Sequence, residues 1–210
     1  ADAARVETLR LFRVPGLVAD DKSAQDALFD PVTEADRAAE KAMRAILAVE
    51  RPGDGILGEE FGTKAGTSGL TWVLDPIDGT RGYISGTPTW GILIAISDAT
   101  GPVFGIIDQP YIGERFVGGF GVAEVTGPTG VTPLATRKRT SFATATLLST
   151  FPEVGSKLER RAFEAVSSAV KLTRYGMDCY GYALLAAGQV DLVIEAGLQP
   201  YDVHAPIAVI

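Results

Sequence analysis

WVLDPIDGT, residues 72–80, is the stretch around which the rest of this chain is organised. A short apolar strand, residues 71–74, runs into two acids three positions apart, with proline after the first and glycine after the second. Because proline fixes φ and has no N–H to donate, we expect the strand to end at Asp75. Gly79 permits a close backbone approach and Thr80 adds a hydroxyl, so the stretch predicts a site at the end of a strand.

The residue types in this stretch favour a hard cation and a phosphate. Oxygen ligands without histidine or cysteine suit Mg²⁺. Exposed N–H groups at Gly79 and Thr80, where a helix could open, would suit a phosphate. The stretch is not an EF-hand, because a third oxygen ligand and the glutamate at loop position twelve are missing. It is not a P-loop either, since no Gly-Lys-Ser/Thr follows.

A second acidic motif, Gly58-Glu59-Glu60, follows the short strand at residues 56–57. If this strand neighbours residues 71–74, three or four carboxylates converge at one end of a sheet. Crowded carboxylates repel one another unless cations lie between them. Each acid alone is better explained as capping a turn or facing water. Their joint spacing instead favours a metal site.

Composition narrows the class of protein. The net charge of −7 argues against a nucleic-acid partner held by phosphate contacts. The single Cys179 excludes an internal disulfide and a cysteine-based zinc site, and it fits a reducing compartment. No apolar run reaches the roughly 18 residues of a membrane span. The chain starts at Ala1 without methionine and stops at Ile210 inside an apolar run, so we expect the natural protein to extend beyond both ends.

The pattern along the chain predicts an α/β fold in two halves. Residues 1–135 read as an α+β half that carries the metal and phosphate motifs. Residues 136–210 read as an α/β half that is cut short. The polar segment Arg137-Lys138-Arg139-Thr140 favours a boundary there.

In the first half we predict two helices and a series of strands. One helix covers residues 1–12, with Val6, Leu9 and Phe12 at helical spacing. The other begins at the Thr33 capping box and runs to about residue 49. Its stripe of small and apolar residues, expected to pack closely on a neighbour, is Ala35, Ala38, Ala39, Ala42 and Ile46. Residues 14–30 and 62–69 read as irregular, and strands are expected at 89–97, 103–108, 114–118 and 122–126.

In the second half strands and helices alternate. The predicted strands are residues 146–149, 171–175 and 190–195, the predicted helices are residues 158–170 and 180–187, and a last segment starts near Tyr201.

Four further polar residues keep alternative explanations. Asp36 completes the capping box with Thr33, and it could equally face the site. Asp202 has an alternative as a cap or first-turn acid of the last helix. His204, the only histidine, could act as a general base, but a packing role is favoured. Lys22 is either a solvated loop charge or a phosphate contact. Serine or cysteine nucleophiles are unsupported, because no Gly-x-Ser-x-Gly elbow exists.

Taken together, these motifs resemble the inositol monophosphatase superfamily of metal-dependent phosphatases. The motifs that carry the resemblance are DPVTEAD at 30–36, GEE at 58–60, residues 72–80 and, more weakly, PYD at 200–202. Their order and spacing cover nearly the whole chain. The resemblance implies a layered αβαβα sandwich. One departure is the last motif, where family members usually have Trp-Asp followed by small residues and glycine, and this chain has Tyr201 and, further on, Pro206.

The resemblance also implies roles by position. The implied ligands of two or three Mg²⁺ ions are Glu59, Asp75, the Ile77 carbonyl, Asp78 and Asp202. The implied catalytic groups around the attacking water are Glu59, Thr80 and Asp36. The implied phosphate- and substrate-binding residues are Gly79, Thr80, Arg81, Asp178 and Glu195.

Residues 78–91 look most like the histidinol-phosphate phosphatase branch, so the expected substrate is histidinol phosphate. Alternatives are an inositol-1-phosphate phosphatase, a phosphatase for 3′-phosphoadenosine nucleotides, and a non-catalytic phosphate- or metal-binding member. The expected partner is a small phosphorylated metabolite, with no nucleic acid and no membrane. By resemblance we also expect a cytoplasmic homodimer.

Overall fold

The computed structural model of this protein describes residues 1–22, 31–138, 141–153 and 155–210. Within these ranges the helices are α1 Asp2–Leu11, α2 Glu34–Glu50, α3 Thr80–Ser85, α4 Lys157–Ser167, α5 Asp178–Ala186 and α6 Pro200–Val209. The strands are β1 Ala19–Asp21, β2 Pro31–Thr33, β3 Gly55–Gly58, β4 Gly62–Lys64, β5 Thr71–Asp78, β6 Gly91–Asp98, β7 Gly101–Gln109, β8 Glu114–Gly119, β9 Val122–Gly127, β10 Gly130–Pro133, β11 Thr146–Leu148, β12 Leu172–Arg174 and β13 Leu192–Val193.

A large sheet forms the centre of the fold, with strand order β10-β9-β8-β7-β6-β5-β3-β4. All its neighbouring strands are antiparallel except β3 and β5, which run parallel with Gly58 opposite Leu74. Residues that follow these two strands therefore leave the sheet at the same edge. The predicted adjacency of the two acidic motifs is confirmed by this register.

The prediction that β5 ends at Asp75 is wrong. The strand continues to Asp78, with Asp75 opposite Leu93 and Asp78 opposite Gly91. Two residues of β5, Pro76 and Ile77, thus face one residue of β6, which is the count of a β-bulge. A bulge tolerates proline because the ladder is already interrupted there.

Helices cover both faces of the large sheet. On one face α1 and α2 share a hydrophobic cluster with the strands, made of Ala4, Ala39, Met43, Leu47, Ile56, Leu74, Ile92 and Ile94. On the other face lie α5 and α6. A small parallel sheet of order β12-β11-β13 contacts α5 through β13, and α4 lies beside it. The predicted α/β layered fold is confirmed.

The two predicted halves share one hydrophobic cluster. It contains Val73 and Leu93 from the first half with Cys179, Ala183 and Ala205 from the second. The division at residues 135 and 136 stays a prediction. Arg139 and Thr140, which favoured that boundary, lie outside the described residues, as does Asp30.

The apolar faces predicted for α1 and α2 are partly wrong. Val6 is 64% exposed, whereas Ala4 and Thr8 are fully buried. In α2 Ile46 is half exposed, and Met43 and Leu47 take the buried side. Helix α1 packs directly on α2. Small side chains of α1 therefore occupy the contact, and apolar side chains such as Val6 lie on another side of that helix. The capping box at Thr33 is confirmed.

Four short strands were missed. β4 lies where residues 62–69 read as a loop, and β1 lies within the stretch read as irregular. β2 comes directly before the helix that starts at the Thr33 capping box, and β10 follows β9. Each has three or four residues, and those of β4 and β10 are all exposed. An alternation of apolar and polar residues is not readable over so short a strand. Residues 23–30 of the same irregular prediction lie outside the described ranges.

Helix α6 carries the departing last motif and sits very close to the sheet. Added Cβ atoms on Gly105 and Gly118 would collide with the backbone oxygens of Ala205 and Ala208. His204 Nδ1 lies 2.8 Å from the Ser97 hydroxyl on β6, which is the packing role favoured from the sequence. The helix therefore forms with Pro206 inside it, fixed by contacts to β6, β7 and β8.

Candidate metal and phosphate site

Three carboxylates from two distant parts of the chain meet at the edge of the large sheet. Asp75, Asp78 and Asp202 each offer an oxygen, and these atoms all lie within 4.8 Å of one another. Asp75 and Asp78 come from the bulged end of β5, and Asp202 from the first turn of α6. Asp202 also accepts the Gln199 N–H at 2.7 Å, so its alternative explanation as a cap holds at the same time.

Glu59 lies beside this group but outside its tight cluster. Its carboxyl group shares a hydrogen bond with Asp75. The Lys22 ammonium is 2.8 Å from Glu59 Oε1 and 2.8 Å from Glu60 Oε1. Lys22 is thus paired with two acids rather than being a solvated loop charge. Its alternative role as a phosphate contact stays a prediction. It neutralises part of the negative charge at the edge of the site.

The described residues leave much of the negative charge of these acids unbalanced. Burial raises the pKa of Asp75 well above its usual range, and the charges of Glu59, Asp78 and Asp202 raise it further. Burial also raises the pKa of Asp78, with Asp178 and Asp202 adding to it. The pKa of Glu59 rises to about 7 through burial, against the opposing effect of Lys22. Converging oxygen donors with unbalanced negative charge fit a divalent hard cation.

Thr80 and Asp36 form a hydrogen-bonded pair next to these carboxylates. The Thr80 hydroxyl lies 3.2 Å from Asp36 Oδ1 and 3.1 Å from the Ile77 carbonyl. Asp36 Oδ2 accepts the backbone N–H of Thr33 at 2.8 Å and its hydroxyl at 2.6 Å. Asp36 is therefore a helix cap that also contacts Thr80, and its expected role around the attacking water stays a prediction. Burial raises its pKa, and the hydrogen bonds from Thr33 and Thr80 oppose that shift.

The turn at Gly79 has no room for a side chain. Its φ of +89° lies in the left-handed region, and an added Cβ would lie 2.7 Å from the Cβ of Asp178. Helix α3 begins at Thr80, and the first N–H groups of a helix have no acceptor within it. These N–H groups are available to an anion next to the acidic cluster.

Two further acids lie close enough to Asp78 for their charges to raise its pKa. Asp178 accepts the Thr89 hydroxyl at 2.9 Å. Glu195 accepts the Tyr182 hydroxyl at 2.8 Å and the Thr150 N–H at 3.0 Å. The Arg81 guanidinium lies 5.5 Å from the Phe151 ring centroid. These groups could contact the part of a ligand that is not held at the acidic cluster.

One cavity of about 510 Å³ brings the candidate residues together. Those that line it are Glu59, Asp75, Ile77, Asp78, Gly79, Thr80, Arg81, Asp178, Glu195 and Asp202. Asp36 is fully buried behind Thr80. His204 is not among the lining residues. A cavity of this size accommodates a small metabolite with its metal ions.

Sequence reasoning missed the groups that hold these residues in place. Glu40 of α2 accepts the N–H of Glu60 at 2.7 Å and that of Phe61 at 3.2 Å, and Arg44 donates to it at 2.7 Å. A usable signal existed, since Glu40 lies four residues after Asp36 on one helix face. Thr150 and Tyr182 gave no such signal, because only the fold brings them to Glu195.

Comparison with known proteins agrees with this geometry. The profile of the inositol monophosphatase family matches residues 3–210. The chain is 44% identical over 183 residues to the chloroplastic bifunctional phosphatase IMPL2 of Arabidopsis thaliana, covering 86% of this chain and 52% of that protein. It is 37% identical over 216 residues to the histidinol-phosphatase of Streptomyces coelicolor, covering 98% and 78%. It thus spans about half the plant relative and about three quarters of the bacterial one.

A solved structure also has a similar fold. An inositol monophosphatase from Zymomonas mobilis matches with a TM-score of 0.85 at 40% identity, covering 100% of this chain and 78% of that one. The fold is that of a family of metal-dependent phosphatases. This chain belongs to the inositol monophosphatase family.

Membership confirms several coarser predictions. Members of this family are phosphatases, and metal dependence is general among them. They act on small phosphorylated substrates. Among the helices of the described ranges, none is both long and apolar enough to cross a membrane. The role of each individual site residue stays a prediction.

Proposed function

We propose that this protein is a Mg²⁺-dependent phosphatase that hydrolyses a small phosphate monoester, with histidinol phosphate as the preferred substrate. The observation that carries the proposal is the meeting of Asp75, Asp78 and Asp202 within 4.8 Å in a cavity that also contains the Gly79 turn. Cation ligands and anion-binding N–H groups lie side by side there, as a metal-assisted attack on a phosphate requires.

The groups that would hold two or three Mg²⁺ ions are Glu59, Asp75, the Ile77 carbonyl, Asp78 and Asp202. When bound, the metal would neutralise these acids, polarise the phosphoryl oxygens and acidify the attacking water. The N–H groups at Gly79 and Thr80 would hold phosphate oxygens at the start of α3. Arg81 and the pair Asp178 and Glu195 would contact the rest of the substrate.

Thr80 would orient the water. Its hydroxyl hydrogen is directed to Asp36 or to the Ile77 carbonyl, so its oxygen is left to accept a hydrogen bond from water. Glu59 lines the same cavity beside Asp75, and its carboxylate would receive the proton that the water loses. Asp36 is buried and hydrogen-bonded to Thr33, so it keeps Thr80 in one orientation rather than taking part in binding.

The substrate preference is supported by two observations. Residues 78–91 resemble the histidinol-phosphate phosphatase branch, and a relative that carries this activity in its name covers 98% of the chain. Asp178 and Glu195 offer negative charge to the amine of an amino alcohol. Inositol 1-phosphate is the second candidate, favoured by the 40% identity to the Zymomonas mobilis protein.

Phosphate release tests the proposal. The natural full-length protein is given histidinol phosphate, inositol 1-phosphate or a 3′-phosphoadenosine nucleotide, each with Mg²⁺ or with EDTA. We expect Mg²⁺-dependent release that is fastest from histidinol phosphate, and almost none with EDTA. A protein that binds Mg²⁺ but hydrolyses none of the three would be a non-catalytic member, against our proposal. Faster turnover of inositol 1-phosphate would overturn the substrate preference alone.

The cytoplasmic homodimer expected from the resemblance stays a prediction. Light scattering of the purified natural protein would measure its mass, and a mass of one chain would contradict the dimer.

A further inference from the structure

The carboxylate of Glu195 is already hydrogen-bonded by the protein at both oxygens. The Thr150 N–H donates to Oε1 at 3.0 Å, and the Thr150 hydroxyl donates to the same oxygen. The Tyr182 hydroxyl donates to Oε2 at 2.8 Å. A carboxylate has roughly four acceptor positions. Three protein donors therefore take up most of the capacity of Glu195 to accept hydrogen bonds from a ligand.

Asp178, the second acid on this side of the cavity, is also engaged. Its Oδ2 accepts the Thr89 hydroxyl at 2.9 Å. Among the described residues that line the cavity, Arg81 is the one cation, and its charge acts on Asp178. Two carboxylates against one guanidinium leave this side of the cavity with a negative charge. This side of the cavity can therefore attract a ligand through its negative charge, but it has few free positions that accept hydrogen bonds.

We propose that Tyr182 is a specificity-determining residue, which occupies Glu195 and so makes that carboxylate select phosphate esters of cationic alcohols over esters of polyols. The inference rests on the proposed phosphatase function. A polyol binds through many hydroxyl donors, each of which needs an acceptor position that faces it. An ammonium or imidazolium group gains from a nearby negative charge even where few positions are open. The hydrogen bond from Tyr182 to Glu195 thus weakens the binding of a polyol more than the binding of a cation.

Removing the tyrosine hydroxyl tests this in the full-length protein with Mg²⁺. Tyr182→Phe frees one position on Glu195. We expect the ratio of kcat/KM for myo-inositol 1-phosphate to kcat/KM for histidinol phosphate to rise about three- to tenfold, which is the effect of one ordinary hydrogen bond. Thr150→Val removes a second donor to Glu195 and should move the ratio in the same direction. The test then does not depend on the folding of one variant.

The chain offers a matched control on the same helix. Tyr180 of α5 donates to Glu114 Oε2 at 2.7 Å, and neither residue lines the cavity. Tyr180→Phe deletes the same kind of bond and should leave the ratio of the two kcat/KM values unchanged.

The charge of Glu195 is tested separately. Glu195→Gln keeps the shape of the side chain, and we expect kcat/KM for histidinol phosphate to fall about tenfold while that for inositol 1-phosphate changes less than about twofold. The inference is overturned if Tyr182→Phe and Thr150→Val turn over both esters with the wild-type ratio. Equal losses for both esters in Glu195→Gln would also overturn it. If the wild-type protein hydrolyses neither ester, the proposed function fails first, which is a different result.

Discussion

Gly79 and Asp178 are in contact so close that a Cβ added to Gly79 would lie 2.7 Å from the Cβ of Asp178. Both residues have positive φ, +89° and +45°. The contact joins the turn before α3 to the first residue of α5, and thus ties the proposed phosphate-binding turn to one of the proposed substrate contacts. The position of the Gly79 turn therefore depends on the position of Asp178.

Gly79→Ala should therefore be damaging for two reasons. The left-handed backbone disfavours alanine by about 1–2 kcal/mol, and the collision with Asp178 adds to that and displaces the turn. We expect a loss of phosphatase activity of at least about 100-fold, together with a lower urea midpoint. Gly69→Ala is the matched control, because Gly69 has φ +83° with nothing near its Cβ position. The control should lose stability and keep activity, and equal activity losses in both variants would contradict the steric argument.

Charge removal at the acidic cluster should separate stability from metal binding. Asp75→Asn and Asp78→Asn relieve buried like charges, so without Mg²⁺ we expect a Tm equal to or above that of the wild type. Mg²⁺ should raise the Tm of the wild type, because a ligand that binds only the folded state stabilises it. The two variants should show little of this rise and almost no Mg²⁺-dependent turnover.

The measurement is a thermal melt over a Mg²⁺ titration with each variant. Glu164→Gln, which removes an exposed acid on α4, controls for the change in net charge and should behave as the wild type. A wild-type Mg²⁺ response in both aspartate variants would exclude these residues as ligands.

The sequence allowed the convergence of Glu59 and Asp75 to be foreseen, since acids that follow two apolar strands meet if the strands are parallel neighbours. It did not allow the bulge of β5 to be foreseen, because Pro76 ends an ordinary strand but is accommodated where two residues face one. The capping boxes at Thr33 and at Gln199 explain Asp36 and Asp202 only in part. Asp36 also contacts Thr80, and Asp202 also lies beside Asp75 and Asp78. These contacts depend on which helix ends the fold places at the sheet edge.

The supporting contacts could not be predicted for a different reason. Lys22 and Tyr182 each reach a site residue, and Glu40 reaches the backbone directly after Glu59, across gaps in the sequence. Such pairs follow from tertiary packing, and a local pattern carries no information about them. The exposed Val6 has the same cause, since the packing of α1 on α2, rather than apolar spacing, decides which side of the helix is buried.

Glu40 is expected to act on the metal site through the loop that carries Glu59. It is fully buried, and it holds the N–H groups of Glu60 and Phe61 as well as the Arg44 guanidinium. Glu40→Ala leaves these donors without their acceptor and should lower the free energy of unfolding by about 3–5 kcal/mol. Glu40→Gln keeps one acceptor and should lose less.

Urea unfolding measures this loss, and a Mg²⁺ titration of the folded variant measures the metal site. We expect Glu40→Gln to need about threefold more Mg²⁺ for half-maximal stabilisation, because Glu59 is less well placed. Glu50→Ala, which removes an exposed acid at the end of the same helix, should change neither quantity. A destabilised Glu40→Gln with the wild-type Mg²⁺ midpoint would confine Glu40 to a role in folding.

Asp54 should make stability depend on pH well below neutrality. The Arg51 guanidinium donates to its carboxylate at 2.8 Å, Ser68 and the Trp72 indole also donate, and these bonds lower the pKa of Asp54 from 3.8 to about 2. Because the folded pKa lies below the unfolded one, the contribution to stability is complete above about pH 4 and is lost as the pH falls towards 2. Asp54→Asn should therefore have a lower urea midpoint than the wild type at pH 7, and the two midpoints should approach each other between pH 4 and pH 2.

Ser68→Ala removes one donor and should show a smaller difference over the same interval. A constant gap between the wild type and Asp54→Asn from pH 7 to pH 2 would mean that the carboxylate charge contributes nothing, and that shape alone makes this position matter.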